Sequence, residues 1–291
     1  MKQKLFKGCG TALLTPFRDG HIDEEALVRN VRRQVAAGVH FLVPLGTTGE
    51  TPCLSVDERR RVLELTRANA DGRPVVVGGG TNSLEGTLEN LRSLRGADAY
   101  LIVVPYYNKP TQNGLYAYFK EVAAATSKPI VIYNVPGRTG ANIEADTVVR
   151  LAEDVPNIVA VKEASGRYAQ ISSIIRRAPE GFSVLSGNDD ETLSLMATGA
   201  SGVISVASNI APAEMVALTE ALLADNMPAA RALHHKLSPL FHALFVESNP
   251  IPAKAAASLL GLMSNTLRLP LVPASEKTTL LLERVLAGLK V

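Results

Sequence analysis

The chain has 291 residues, 46% hydrophobic and 20% charged, with a formal charge of +2 and only two cysteines. That length holds one large α/β barrel or two modest domains, and the near-neutral charge without a basic run excludes nucleic acid and anionic membrane as partners. No apolar run approaches the roughly 18 residues of a membrane span, residues 1–7 lack the apolar core of a signal peptide, and Cys9 and Cys53 lack metal or redox spacing, so a cytoplasmic, disulfide-free protein is expected.

Short β-rich runs recur at 9–14, 39–45, 74–79, 99–104, 129–134, 158–162, 182–186 and 201–206, with helical spacing between them. Asp23 caps a helix with Leu27, Val31 and Val35 on one face, stopped by Gly38. Ser55-Val56-Asp57-Glu58 forms a capping box opening a second helix through Val62, Leu63 and Leu65. Leu84, Leu88 and Leu91 mark the third helix, and Leu115, Phe119 and Val122 the fourth. Val148 and Leu151 mark the fifth, and Ile171, Ile174 and Ile175 the sixth. Asn188-Asp189-Asp190-Glu191 is expected to cap the seventh, which carries Leu193 and Met196.

Eight strands alternating with helices through right-handed crossovers close most simply into a (β/α)8 TIM barrel. An open doubly wound sheet is the alternative, but Leu14-Thr15-Pro16-Phe17 after the first strand is not a phosphate-binding glycine loop. From Ala211 onward the β runs stop and helical spacing covers 212–223, 228–245, 252–260 and 274–289. The expected organisation is a barrel domain over 1–210 and a C-terminal helical appendix over 211–291.

In such a barrel the chemistry sits where strands end. The run Ile158-Val159-Ala160-Val161 is apolar without alternation, as in a strand covered on both faces, and it ends on Lys162. Burial at a strand mouth disfavours an ammonium, and an uncharged amine attacks ketones, which makes Lys162 a candidate Schiff-base lysine. It also fits a lysine that merely carries its head out to water. Gly46-Thr47-Thr48-Gly49-Glu50 follows the second strand and suits a carboxylate or phosphate, or is simply a polar turn. Tyr106 and Tyr107 follow the fourth strand as a packing pair, a subunit contact or a reactive phenol. Tyr133 ends the fifth strand. Arg138 follows on a glycine-flanked turn, free to fork onto a carboxylate or to form a surface ion pair. A lysine, a tyrosine, two threonines and an arginine at strand ends share one face, and tyrosine with threonine can relay the protons of imine formation. None of the five histidines closes a strand, so a metal-dependent aldolase is disfavoured, and Gly78-Gly79-Gly80 lacks dinucleotide spacing.

The ordered set Gly46-Thr47-Thr48-Gly49-Glu50, Tyr106-Tyr107-Asn108, Tyr133-Asn134-Val135-Pro136 and Val161-Lys162-Glu163-Ala164 resembles the pyruvate-dependent class I aldolases. That superfamily includes N-acetylneuraminate lyase and dihydrodipicolinate synthase. The resemblance runs nearly end to end, and Arg138 together with Ser248-Asn249-Pro250-Ile251-Pro252 resembles the dihydrodipicolinate synthase branch. It implies that Lys162 forms an imine with pyruvate and that Tyr133, Thr47 and a Tyr107 from a neighbouring subunit relay protons. It further implies that Thr48 and the Ile204 backbone hold pyruvate, Gly187 shapes the pocket floor, and Arg138 binds the carboxylate of aspartate semialdehyde. A homotetramer built as a dimer of dimers and a reaction without metal, flavin or nucleotide are implied as well. The resemblance also implies a lysine-binding cleft near Thr51, Pro52, Val56, Arg59, Asn82, Glu85 and Tyr106, where the positive charge of Arg59 predicts weak or absent lysine feedback. Two other readings remain: an aldolase cleaving N-acetylneuraminate or a keto-deoxy sugar acid, and a non-catalytic binding protein on the same fold.

Overall fold

The structure is a computed structural model that describes residues 6–289; residues 1–5, which carry most of the signal-peptide argument, lie outside that range. Among the described residues eight parallel strands form one sheet: β1 Gly8–Ala12, β2 Phe41–Val43, β3 Val76–Gly78, β4 Ala99–Val103, β5 Ile130–Asn134, β6 Ile158–Glu163, β7 Ser183–Ser186 and β8 Gly202–Ser205. Their order is β2-β1-β8-β7-β6-β5-β4-β3. The ring closes where Leu42 bridges to Val75, Leu42 N donates to Pro74 O at 2.9 Å, and Gly78 N donates to Pro44 O at 3.1 Å. Only glycine fits that seam, because a Cβ on Gly78 would lie 1.8 Å from Leu45 O. The fold is the expected (β/α)8 barrel with C-terminal helices.

Alternation along the strands sorts the apolar side chains into two layers. Ala12, Phe41, Val43, Val76, Leu101, Val131 and Ala160 fill the barrel interior, and Phe6 plugs it with its ring 5.4 Å from Phe41. The opposite faces, including Leu42, Val77, Ile102, Ile132 and Val161, pack against the surrounding helices.

The helices start where their caps place them. Asp23 accepts from Ala26 N ahead of helix Glu24–Ala36, and Ser55 with Glu58 forms the reciprocal box ahead of Val56–Ala68. The seventh helix, Thr192–Ala197, differs from expectation: no side chain of 188–191 caps its backbone. Asp189 instead turns across to β8, where Oδ2 accepts from Val206 N at 3.0 Å and Ala207 N at 2.9 Å. A small antiparallel hairpin, Phe17–Arg18 with His21–Ile22, was not expected, because two-residue strands are too short to show alternation.

Helix Pro212–Leu223 packs against β1 and β8, and helices Met227–Ala243, Ile251–Leu259 and Glu276–Leu289 follow it. Two ion pairs tie this C-terminal part to the loop after β2 and to the first turn of helix Val56–Ala68. Lys254 meets Glu50 at 2.5 Å with both side chains sealed from water, and Arg268 grips Glu58 with both guanidinium nitrogens. Phe17 lies between the two cations, 4.0 Å from Lys254 Nζ and 4.4 Å from the Arg268 guanidinium carbon.

The Arg268 guanidinium, helped by the Ser55 backbone N–H, holds Glu58 down at about 2, below its ordinary 4.5. A carboxylate depressed on folding stabilises the fold above 4.5 and loses that contribution as pH falls toward 2. With about a quarter of each side chain exposed, solvent screening limits the pair to roughly 1 kcal/mol. Glu58→Gln should therefore be less stable than wild type at pH 7 by about that amount in urea unfolding. The gap should narrow between pH 4.5 and 3; a gap constant over that range would show that the charge of Glu58 is not what stabilises.

Candidate active site

Strands β5 and β6 pair with Tyr133 opposite Lys162 and Asn134 opposite Glu163. Lower in the same ladder Ile130 faces Ile158 but Val131 faces Ala160, so the register skips Val159. One extra residue reverses the face of every side chain beyond it. The skip therefore turns Lys162 into the barrel beside Tyr133 and sends Glu163 to the outer face with Asn134. Lys162 and Tyr133 are both buried, and Lys162 Nζ stands 4.3 Å from the centre of the Tyr133 ring.

Tyr133, Thr47 and Arg138 line one cavity of about 310 Å³ at the C-terminal mouth. Thr47 and Thr48 occupy a single turn, Thr47–Gly49, directly after β2. Thr47 faces the cavity, while Thr48 is buried and accepts from Asn249 Nδ2 at 2.9 Å. Arg138 sits in the short helix Pro136–Thr139 and donates to Asn249 O at 3.0 Å; among the described residues it forms no ion pair. Gly187 lies against Lys162: a Cβ there would be 2.6 Å from Ala164 Cβ and 3.1 Å from Lys162 Cε. Ile204 is fully buried in the interior layer. Lys162, Thr48, Gly187 and Ile204 are not on the cavity wall itself; Lys162 adjoins it through the Tyr133 ring.

Tyr107 stands apart. Its side chain is 87% exposed, its backbone is left-handed with φ 73°, and the cavity wall includes Tyr106 instead. A bulky residue held at positive φ is strained, and here Tyr107 N donates to Thr139 O at 3.1 Å, tying the loop to the Arg138 helix.

Two features are absent from the expectations above. Asn249 bridges Thr48 and Arg138, the first through its side-chain amide and the second through its backbone carbonyl. Its segment stands out in the sequence, but a contact spanning 201 residues does not. Glu163 is a buried carboxyl whose pKa burial pushes up, opposed by donors from Ser165, Asn134 and Gln170. The cavity extends past the strand ends to Thr51 and Arg59 of the expected lysine cleft and to Asn90, whose Oδ1 accepts from Arg59 at 3.2 Å. Chemically, the mouth offers an amine against a phenol, a hydroxyl on the same wall, and a guanidinium that can take a carboxylate.

The chain matches the model of the dihydrodipicolinate synthetase family over residues 5–288. It is 51% identical over 288 residues to the 4-hydroxy-tetrahydrodipicolinate synthase of Thermotoga neapolitana, covering 97% of this chain and 98% of that one. The crystal structure of dihydrodipicolinate synthase from Thermotoga maritima superposes with a TM-score of 0.97 at 49% identity, over 98% of this chain and 99% of that one. The enzyme from Cyanidioschyzon merolae, solved with lysine bound, superposes with a TM-score of 0.95 at 37% identity, over 99% of both chains. With half its residues shared and the barrel matched from end to end, the chain belongs to the dihydrodipicolinate synthetase family.

Proposed function

We propose that this chain is a lyase-class enzyme that condenses pyruvate with aspartate 4-semialdehyde to 4-hydroxy-tetrahydrodipicolinate, in lysine and diaminopimelate biosynthesis. The name shared by relatives at about half identity over the full length supports the overall reaction. The observation that carries the mechanism is the Lys162 amine held 4.3 Å from the Tyr133 ring at the edge of a cavity that also contains Thr47 and Arg138.

The Lys162 amine attacks the ketone carbon of pyruvate, and the carbinolamine loses water to give an iminium. Tyr133, Thr47 and Tyr107 of a neighbouring subunit carry the protons. The iminium withdraws electrons from the pyruvate methyl, which loses a proton to become an enamine. The enamine carbon then attacks the aldehyde of the second substrate. That substrate's amine adds to the imine carbon, closes the ring and expels Lys162. Thr48 and the Ile204 backbone hold the pyruvate carboxylate end, Gly187 leaves room for it, and Arg138 holds the carboxylate of the semialdehyde.

The need for a neighbour's Tyr107 calls for at least one subunit contact, with which the 87% exposure of that side chain accords; a homotetramer made of two dimers is what the family resemblance implies. Two free cysteines, one of them buried, accord with a cytoplasmic protein, and no helix among the described residues is long and apolar enough to cross a membrane. The barrel of 1–210 supplies the reacting groups, and the helical region of 211–291 supplies Asn249. A sugar-acid aldolase would share Lys162 and Tyr133 but have no use for Arg138 at the cavity wall. A non-catalytic protein would have no use for either.

Borohydride with pyruvate should add one reduced pyruvate per chain, on the peptide holding Lys162. Trapping elsewhere, or undiminished trapping in Lys162→Ala, sinks the assignment. Arg138→Ala should leave that trapping intact while lowering kcat/KM for the semialdehyde by roughly 10- to 150-fold, the worth of a charge-assisted hydrogen bond. Near-normal kinetics with the aldehyde would reopen the identity of the second substrate.

Lysine should inhibit weakly or not at all. Asn90 holds the Arg59 guanidinium at the cavity wall, and Arg59 Nε is buried without a partner. A like charge about 4 Å from a bound ammonium costs about 4 kcal/mol at an effective dielectric of ~20. Sub-millimolar inhibition in a steady-state assay would show that Arg59 does not repel the ligand.

A further inference from the structure

Directly behind Tyr133 and Lys162, on the outer face of the same two strands, lies a second pair. Asn134 and Glu163 are both fully buried, and Asn134 Nδ2 donates to Glu163 Oε1 at 2.9 Å. That oxygen also accepts from Gln170 Nε2 at 3.1 Å, and the other accepts from Ser165 Oγ at 2.6 Å. Asn134 Nδ2 donates again to Asn142 Oδ1 at 3.0 Å, and Asn134 Oδ1 accepts from Ile143 N at 3.3 Å. Each polar atom of both side chains has a partner within the protein.

This arrangement is expensive for mere filling, since a buried carboxyl costs free energy that apolar neighbours such as Ile132 and Val161 do not. Its return is selectivity. Apolar contacts on a strand tolerate a shift in register, whereas a hydrogen bond between two particular side chains holds in one register only. The need is local, because the skipped Val159 leaves the lower part of β6 with an alternative pairing one residue away. Consecutive residues share a rigid peptide unit, so whatever fixes Asn134 and Glu163 also fixes Tyr133 and Lys162.

We propose that Asn134 and Glu163 are a positioning pair whose hydrogen bond, across the outer face of β5 and β6, holds the Tyr133 phenol and the Lys162 amine in reacting alignment. The pair touches no substrate and acts through its two inward-facing neighbours. The role rests on the reading of Lys162 as the imine lysine.

The test exchanges donor and acceptor. Asn134→Asp sets a second carboxyl against Glu163, and Asn134→Asp with Glu163→Gln restores a bond of reversed polarity with no change in shape. Melting temperature, kcat, KM for pyruvate and the borohydride trapping rate at Lys162 are measured for each. Asn134→Asp should lower kcat and the trapping rate by about 100-fold, the scale of a roughly 1 Å misplacement, with KM for pyruvate changed less than about threefold. The double variant should return to within about fivefold of wild type, the mark of coupled residues. Glu163→Leu removes the bond without adding charge and should repeat the loss of kcat and trapping in a second background. A folded Asn134→Asp or Glu163→Leu with full kcat overturns the positioning role, as does a double variant no better than Asn134→Asp. Losses that follow melting temperature alone, with kcat per folded molecule intact, overturn it too. Wild type left untrapped at Lys162 overturns the imine reading and the positioning role together, whereas failed rescue in a trapped enzyme overturns only the latter.

Discussion

An ammonium and a carboxylate, both fully shut off from water, meet where the C-terminal helices join the barrel. Lys254 reaches Glu50 at 2.5 Å and donates to Thr266 O at 2.8 Å, while Glu50 Oε2 accepts from Arg268 N at 3.0 Å. Burial outweighs the attraction of Glu50 and pulls the Lys254 pKa down to about 8. Such a pair adds little net stability, yet losing one partner costs about 3–5 kcal/mol because the other charge is stranded. Its value is therefore geometric: one placement of the helices satisfies both charges, and others strand them. Glu50 is also left-handed, with φ 52°, and immediately follows the Thr47–Gly49 turn. Fixing its carboxylate fixes the threonines.

From that anchor the mouth is assembled in series. The helix carrying Lys254 begins at Ile251, two residues after Asn249, which holds Thr48 through its amide and Arg138 through its carbonyl. The groups proposed for the two substrate carboxylates are thus spaced by one residue of the C-terminal region, its side chain on Thr48 and its backbone carbonyl on Arg138. Without Asn249, Thr48 and Arg138 would lose the one residue that both of them contact.

Much of this architecture is legible in the sequence, for a clear reason. Strand–helix boundaries are marked by a change of apolar period, joined at Asp23 and Ser55 by a capping residue, and local signals of that kind survive folding. Asp23 and Ser55 cap as expected because their partners are three residues away. Asp189 does not, because Val206 and Ala207 compete for its carboxylate from a loop that only the closed barrel brings near. The positions of Lys162, Tyr133 and Arg138 at or just past strand ends are legible. Asn249 and Lys254 are not, since their partners lie some two hundred residues away. The skip at Val159 is hidden for another reason: Ile158-Val159-Ala160-Val161 contains no polar residue to mark which face is which.

That hidden skip makes the chemistry of the barrel depend on counting. Were Val159 instead taken into a regular ladder opposite Val131, Lys162 would fall opposite Asn134 on the outer face and Glu163 would enter the interior, with composition, apolar content and strand number unchanged. A single-codon insertion or deletion that the skip does not absorb is thus a route by which a lineage could keep the architecture and silence the proposed reaction. Two such descendants would look nearly identical when compared substitution by substitution. The difference between an enzyme and an inert scaffold would lie in the parity of one strand.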